Sequence, residues 1–207
     1  MSTVFNVERF KSALTNGGLR PNQFAVQLSF PTYVQGGNNA VAKSPFLVNI
    51  AEMPGSTINP ATVLYRGREV LFSGDRTFAP WTFTALNDSQ MTIRNAIESW
   101  MIGMEDLQTK RGRLFSSEYQ RNIDIFQLDR NGMVLKSYVL QDAFPIDLSP
   151  VGLDFSANDQ ISTFNVTWRY QSFSTSNTAS GLVGQVLGSV FNSCLLYTSP
   201  SPRDATL

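Results

Sequence analysis

The chain has 207 residues, of which 42% are hydrophobic and only 15% charged. That length fits one domain, or at most a small pair, and the apolar fraction is ordinary for a globular protein. Sixteen basic residues balance sixteen acidic ones, which argues against a dedicated nucleic-acid binder, because neutralising phosphates needs a surplus of Lys and Arg. There is no histidine and a single cysteine. The commonest general base, the commonest zinc ligand, any disulfide framework and any thiolate cluster are therefore missing. No catalytic or metal constellation is expected, and no cofactor. No stretch reaches the roughly 20 apolar residues of a membrane helix, and the N-terminus lacks a cleavable signal pattern. The mature protein is expected to start in the cytoplasm.

In chain order, Val4 to Leu14 reads as a short amphipathic helix, with Val4, Val7, Phe10, Ala13 and Leu14 on one face and Gly17-Gly18 ending it. Phe24, Val26, Leu28 and Phe30 alternate with smaller or polar residues in a half-buried strand stopped by Pro31. Gln35 to Ser44 is a Gly/Asn loop, and Phe46 to Met53 a second strand ended by Pro54-Gly55. Ser56 to Pro80 is the most extended region. Val63 to Tyr65 and Glu69 to Phe72 flank Arg66-Gly67-Arg68, which predicts a hairpin or a pair of arms, and Gly74 is expected to turn the chain. Trp81, Phe83 and Ala85 alternate with threonines in a further strand. Asp88 is the expected cap of a helix carrying Met91, Ile93, Ala96, Ile97, Trp100 and Met101, which Gly103 closes. Lys110 to Ser117 reads as a polar loop. Asn131-Gly132 marks a hairpin between Ile123–Leu128 and Met133–Leu140. Ala143 to Leu148 and Thr163 to Tyr170 are the last strands.

Beyond Ser172 the composition shifts to Ser, Thr, Asn and Gly, which predicts a flexible extension over 173–193. Cys194 to Asp204 resembles one reading frame of a transposon-derived sequencing adapter, so 194–207 is read as an artefact and left out of fold reasoning. The expected fold is mainly β, in the α+β class. Two packed antiparallel sheets form a β-sandwich or barrel, with one flanking α-helix and a short N-terminal helix.

One face of each strand is set by every second residue. Phe24/Val26/Leu28, Trp81/Phe83 and Phe164/Val166/Trp168 should form the core. The opposite faces carry Gln27 and Ser29, Thr82 and Thr84, and Thr163, Asn165 and Thr167, nearly free of charge. Such a face suits a channel wall past which phosphates slide; the plain alternative is a Thr-rich solvent face, since Thr favours strands. Carboxylate groupings are weak. Glu105-Asp106 point apart after a helix end, and Asp154 and Asp159 flank a turn that lacks the order of a calcium loop. Lys110-Arg111-Gly112-Arg113 is a basic loop that either grips phosphate or is merely solvated.

Phe72-Ser-Gly-Asp-Arg-Thr-Phe78, followed by Pro80-Trp-Thr-Phe-Thr-Ala-Leu-Asn-Asp88, resembles the tail tube protein of T-even-like contractile-tailed bacteriophages. Arg20-Pro-Asn-Gln-Phe24, Glu118-Tyr119 and the run Asp154 to Phe164 are similar to further stretches of that family in the same order, so the likeness covers about Arg20 to Tyr170. It departs in the Tyr33 to Ser44 segment and after Ser172.

The resemblance implies a structural protein with a tail-tube-like domain over 1–172. Subunits of that family form hexameric rings that stack into a hollow tube inside a contractile sheath, and genome DNA passes through it. Implied partners are further copies of the chain, the sheath, baseplate and tail terminator proteins, a tape-measure protein and transiently double-stranded DNA, with no membrane. The implied location is the virion tail, assembled in the host cytoplasm. Within that frame Arg66, Arg68, Asp75 and Arg76 are expected at inter-ring contacts, Asp75 and Arg76 pairing either within their turn or across rings. Gln27, Ser29, Thr82, Thr84, Thr163, Asn165 and Thr167 are expected to line the lumen. Arg94, Asn95 and Glu98 are expected on a helix facing the sheath. Two other readings compete: the inner tube of a related injection machine, of type VI secretion or tailocin kind, and more distantly a ligand-binding β-sandwich.

Overall fold

A computed structural model describes residues 6–14, 18–105, 112 and 115–177. The elements run α1 (Val7–Ala13), β1 (Phe24–Gln27), α2 (Gly37–Leu47), β2 (Val48–Ala51), β3 (Ser56–Tyr65), β4 (Arg68–Phe78), β5 (Trp81–Leu86), α3 (Thr92–Met104), α4 (Ser116–Tyr119), β6 (Arg121–Leu128), β7 (Val134–Leu148), β8 (Thr163–Arg169) and β9 (Ser172–Asn177). All pairings between named strands are antiparallel. The mainly β class with flanking helices is as expected. The two packed layers, however, are halves of one seven-stranded sheet, ordered β1-β6-β7-β8-β5-β2 with β9 also on β7; the second sheet is the separate pair β3-β4.

The fold of that sheet upon itself is local to β7. Its fifteen residues were expected as two strands but form one, bent where Asp142 takes a left-handed φ of 55°. Opposite this bend β8 gives way to β9, and the Gln171 amide donates to the Gln141 carbonyl. Up to Ala143 β7 pairs β6, and up to Gln141 β9; from Phe144 on it pairs β8. Ser172–Asn177 thus continues the sheet past the boundary expected at Ser172, because its backbone completes the free side of β7 whatever its side chains. Residues 178–207, with the apolar stretch Gly181–Phe191 and the adapter-like run, lie outside the described residues, as do Lys110, Arg111 and Arg113 of the basic loop.

Both halves turn one face into a single core. Val26, Ile123, Ile125 and Leu140 come from one half, Phe83, Phe164, Val166 and Trp168 from the other, and Ile93, Ala96, Ile97 and Trp100 from α3. Trp100 meets Trp168 edge-on at 5.2 Å and Phe30 at 5.4 Å, and its indole donates to the Tyr119 carbonyl at 2.9 Å. Truncating a buried aromatic of this kind to Ala costs about 3–5 kcal/mol.

The expected loop at Gln35–Ser44 is a helix. Gly37, Ala40 and Ser44 are its buried positions, three and four apart, and their small size lets α2 lie close to its neighbours. Pro45 cannot donate to the Val41 carbonyl; the Ser44 hydroxyl does so instead at 3.0 Å, while accepting the Leu28 amide at 3.1 Å. Two glycines also act differently from expectation. Gly103 does not end α3, which runs to Met104; a Cβ there would lie 2.1 Å from the Tyr33 ring, so the glycine makes room for packing. At Asn131-Gly132 the turn is of the longer kind: the Gly132 amide donates to the Asp129 carbonyl, and only Gly132 has a positive φ, of 77°. Helix α1 forms, but Val7 and Phe10 stay exposed and no residue of it is buried.

Asp88 joins α2 to α3. Helix α3 starts three residues later than an N-cap at Asp88 requires, yet the Asp88 carboxylate accepts the Thr92 amide at 2.7 Å and the Thr92 hydroxyl at 2.6 Å. Lys43 from α2 donates to the same carboxylate at 2.6 Å. The bonds from Lys43 and then Thr92 hold its pKa at about 2, below the ordinary 3.8. Because the folded pKa is depressed, this contribution to stability is complete above the ordinary value and is lost as the pH falls towards 2. Asp88→Ala is expected to cost about 1–2 kcal/mol at neutral pH, and its stability should fall less steeply than that of the unaltered chain between pH 4 and pH 2, both read by urea denaturation.

Candidate assembly surfaces

Three surfaces carry the residues singled out in the sequence. The first is the pair β3-β4. It is a hairpin, as expected, turning at Arg66 and Gly67, which both have positive φ. All ten residues of β3 are exposed, as are all but two of β4. One face holds Ala61, Val63, Tyr65, Val70, Phe72 and Arg68; the other holds Pro60, Thr62, Leu64, Glu69, Leu71 and Ser73. Both faces therefore carry bare apolar side chains, Leu64 at 78% exposure and Leu71 and Tyr65 at 63%. At roughly 3.3 Å per residue the arm is about 33 Å long. Its root is fixed by Phe78, whose ring meets Phe173 at 5.5 Å and Tyr170 at 5.8 Å.

Gly74 does not turn the chain; it lies inside β4. Register shifts between Ile58 and Pro60, so Asn59 faces the stretch Gly74-Asp75, and a Cβ on Gly74 would lie 2.4 Å from the Asn59 carbonyl oxygen. Only glycine allows this approach. Arg76 pairs across from Ile58. Among the described residues the ion pairs are Lys43–Asp88 and Arg94–Glu98, so the local Asp75–Arg76 pair is not formed. Arg66 and Arg68 flank the tip, the Arg66 guanidinium resting 5.5 Å from the Tyr65 ring centre.

The second surface is the outer face of β5 and β8. Thr82 stands opposite Thr167 and Thr84 opposite Asn165. The Thr82 and Thr167 hydroxyls are 3.2 Å apart, and the Thr84 hydroxyl donates to the Asn165 side-chain carbonyl at 2.8 Å. Thr163 is exposed on the same face opposite Leu86. The face is less uniform than expected: Ile50 joins it from β2 beside Thr84, and Asp147 from β7 beside Thr167. Gln27 and Ser29 are elsewhere. Gln27 sits on β1 opposite Asp124, in the other half of the sheet, and Ser29 lies half-buried beyond the end of β1. Burial pushes the Asp124 carboxyl pKa up.

The third surface is the exposed side of α3. Asn95 is exposed and donates to the Gln90 carbonyl; Glu98 is half-exposed. Arg94 is not on this side in any useful sense. It donates to the Ser149 carbonyl at 3.1 Å, pairs Glu98 at 2.9 Å and covers the Phe164 ring at 5.5 Å, so it clamps α3 to the sheet. Its i, i+4 spacing to Glu98 signalled the pair, but nothing local marked Ser149.

Among the described residues no group of three or more His, Cys, Asp or Glu side chains is placed to hold a metal ion, and no helix is long and apolar enough to cross a membrane.

Gly74→Ala is expected to disorder the arm while leaving the body within about 0.5 kcal/mol of its original stability. Amide exchange checks this: protection should fall in β3 and β4 and persist in β5 and β8.

A tail tube protein of Serratia phage KSP90 is 29% identical over 166 residues, covering 79% of this chain and 93% of that relative. The tail tube protein gp19 of Enterobacteria phage T4 is 26% identical over 153 residues, covering 72% and 86%. Among solved structures, a chain of the extended sheath-tube complex of PVC, an extracellular contractile injection system, superposes with a TM-score of 0.58 at 12% identity, over 84% of this chain and 99% of that one. A chain of the anti-feeding prophage baseplate gives 0.54 at 14% identity, over 78% and 97%. The family model for phage tail tube proteins matches residues 19–176, so the chain belongs to the phage tail tube protein family and is a structural component of the virion tail.

Proposed function

We propose that six copies of this chain close into a ring, that rings stack into a hollow tube inside a contractile sheath, and that genome DNA leaves through it. The observation that carries this reading is the arm. An isolated two-stranded hairpin is marginally stable in water, and one with bare apolar side chains on both faces needs cover on both. Among the described residues of a single subunit, no residue of β3 is covered. Stacked neighbours would supply that cover, and Arg66, Arg68, Asp75 and Arg76, none of them ion-paired in the subunit, would meet those neighbours. The role is structural and not catalytic, in keeping with a chain without histidine.

Thr82, Thr84, Thr163, Asn165 and Thr167 would line the lumen. Their hydroxyl and amide groups already bond one another across β5 and β8, so passing phosphates meet weak partners rather than cations. Gln27 and Ser29 lie outside that face. The exposed side of α3, with Asn95 and Glu98, would face the sheath, while Arg94 serves the subunit itself. Baseplate, terminator and tape-measure proteins would set the ends and length, since a head-to-tail stack has no closure of its own.

Negative-stain microscopy of the expressed chain tests the assembly: six-fold rings and tubes are expected, and a protein that stays monomeric at every concentration contradicts it. Thr82→Lys, Thr84→Lys and Thr167→Lys, introduced together in phage, should leave tails of normal length but slow DNA ejection, most strongly at low salt. Unchanged ejection kinetics would remove these residues from the lumen.

A further inference from the structure

The segment between β7 and β8 also exposes large apolar side chains. Leu153 is 91% exposed, Phe155 fully and Ile161 69%. They border an open hollow of about 590 Å³ formed by residues 151–163. The segment is nonetheless anchored at both ends. The Ser149 hydroxyl accepts the Asn165 amide at 2.8 Å and the Ser149 amide donates to the Asn165 carbonyl at 2.9 Å. At the far end the Asn87 amide donates to the Ser162 carbonyl at 2.9 Å and its side chain to the Ser162 hydroxyl at 2.6 Å. Between them Asp154 accepts the Ser156 amide at 2.9 Å and the Ser156 hydroxyl at 2.8 Å, bonds that hold its carboxyl pKa below the ordinary value.

Its position in the sheet is decisive. In the β5–β8 pair Trp81 stands opposite Trp168 and Leu86 opposite Thr163. The arm enters β5 at the Trp81 end, whereas the loop enters β8 at the Thr163 end. Arm and loop therefore leave opposite ends of the same strand pair. Two apolar surfaces at opposite ends of one subunit meet in a head-to-tail stack and cannot meet within it. Their charges are also complementary: Arg66 and Arg68 flank the arm tip, and Asp154 and Asp159 lie on the loop. The arm's ~33 Å exceeds the roughly 20 Å spanned by the six residues of β5, so it is long enough to reach beyond the body of its own subunit.

We propose that the loop 151–163 of one copy is the receptor for the arm of the next copy in the stack, with Leu153, Phe155 and Ile161 as its apolar contacts and Asp154 and Asp159 facing the tip arginines. This rests on the reading of the chain as a stacking ring subunit and names the partner surface within it.

The test uses the full chain. Phe155→Asp together with Leu153→Asp alters fully or almost fully exposed positions, so the fold is retained, which near-UV circular dichroism verifies. Leu64→Asp with Leu71→Asp alters the arm instead. Each variant alone is expected to give single rings without tubes in negative stain. Mixed in equal amounts, they should give stacks of two rings, because one variant keeps a working arm and the other a working loop. If the loop variant builds tubes as long as the unaltered chain while the arm variant does not, the receptor lies elsewhere: the inference fails and the stacking role of the arm stands. If both variants build normal tubes, the arm reading itself fails and takes the inference with it. Loss of rings as well as tubes in the loop variant would place the loop in ring closure and also overturn the inference.

Discussion

The bend in β7 is the constraint from which the subunit follows. A fifteen-residue strand that stayed straight would carry a flat sheet with one bare apolar face. The left-handed Asp142 and the break between β8 and β9 opposite it let the sheet close over its own side chains. That closure gathers Trp100, Trp168, Phe83 and Phe164 into one dry core, leaves polar faces outward, and aligns β5 with β8 so that the arm and the 151–163 loop emerge at opposite ends. Neither would hold its place on a sheet that was free to flatten. The Asn122 side chain accepts the Asp142 amide at 3.3 Å, a local support for the bend from β6.

Much of this was legible where pattern and environment agree. Strict alternation in Trp81–Leu86 and Thr163–Arg169 placed both strands and sorted their faces, because a strand buried on one side can hold only one register. Helical spacing from Ile93 to Trp100 placed α3 in the same way. Arg66-Gly67 was recognisable as a hairpin turn by its punctuation.

The rest was hidden because local chemistry and tertiary context point in different directions. Gly36, Gly37 and two asparagines read as a loop, yet Ser44 substitutes for the hydrogen bond that Pro45 cannot make, and the small residues are what lets α2 approach its neighbours. Ser172–Asn177 has linker composition but pairs through its backbone, which composition does not report. Gly74 and Gly103 looked like breakers and instead admit a carbonyl and an aromatic ring. Of the candidate assembly residues, the threonine face could be read from alternation; that Gln27 lies in the other half of the sheet and Arg94 against Ser149 depended on strand order and on a residue far along the chain. The exposure of the 151–163 loop escaped because the alternation of Val151, Leu153, Phe155 and Ala157 does not distinguish an exposed loop from a half-buried strand.

The uncovered faces of the arm bear on how such a structure grows. A ribbon that gains little from its own two strands acquires most of its order when it is clasped, so the entropic cost of ordering falls at the moment of docking. Encounters between free subunits then repay that cost poorly, whereas the end of a lengthening stack, already rigid and already presenting a seat, repays it at once. Elongation would then be favoured over spontaneous initiation, so tubes of the chain alone would appear only above a threshold concentration of free subunits.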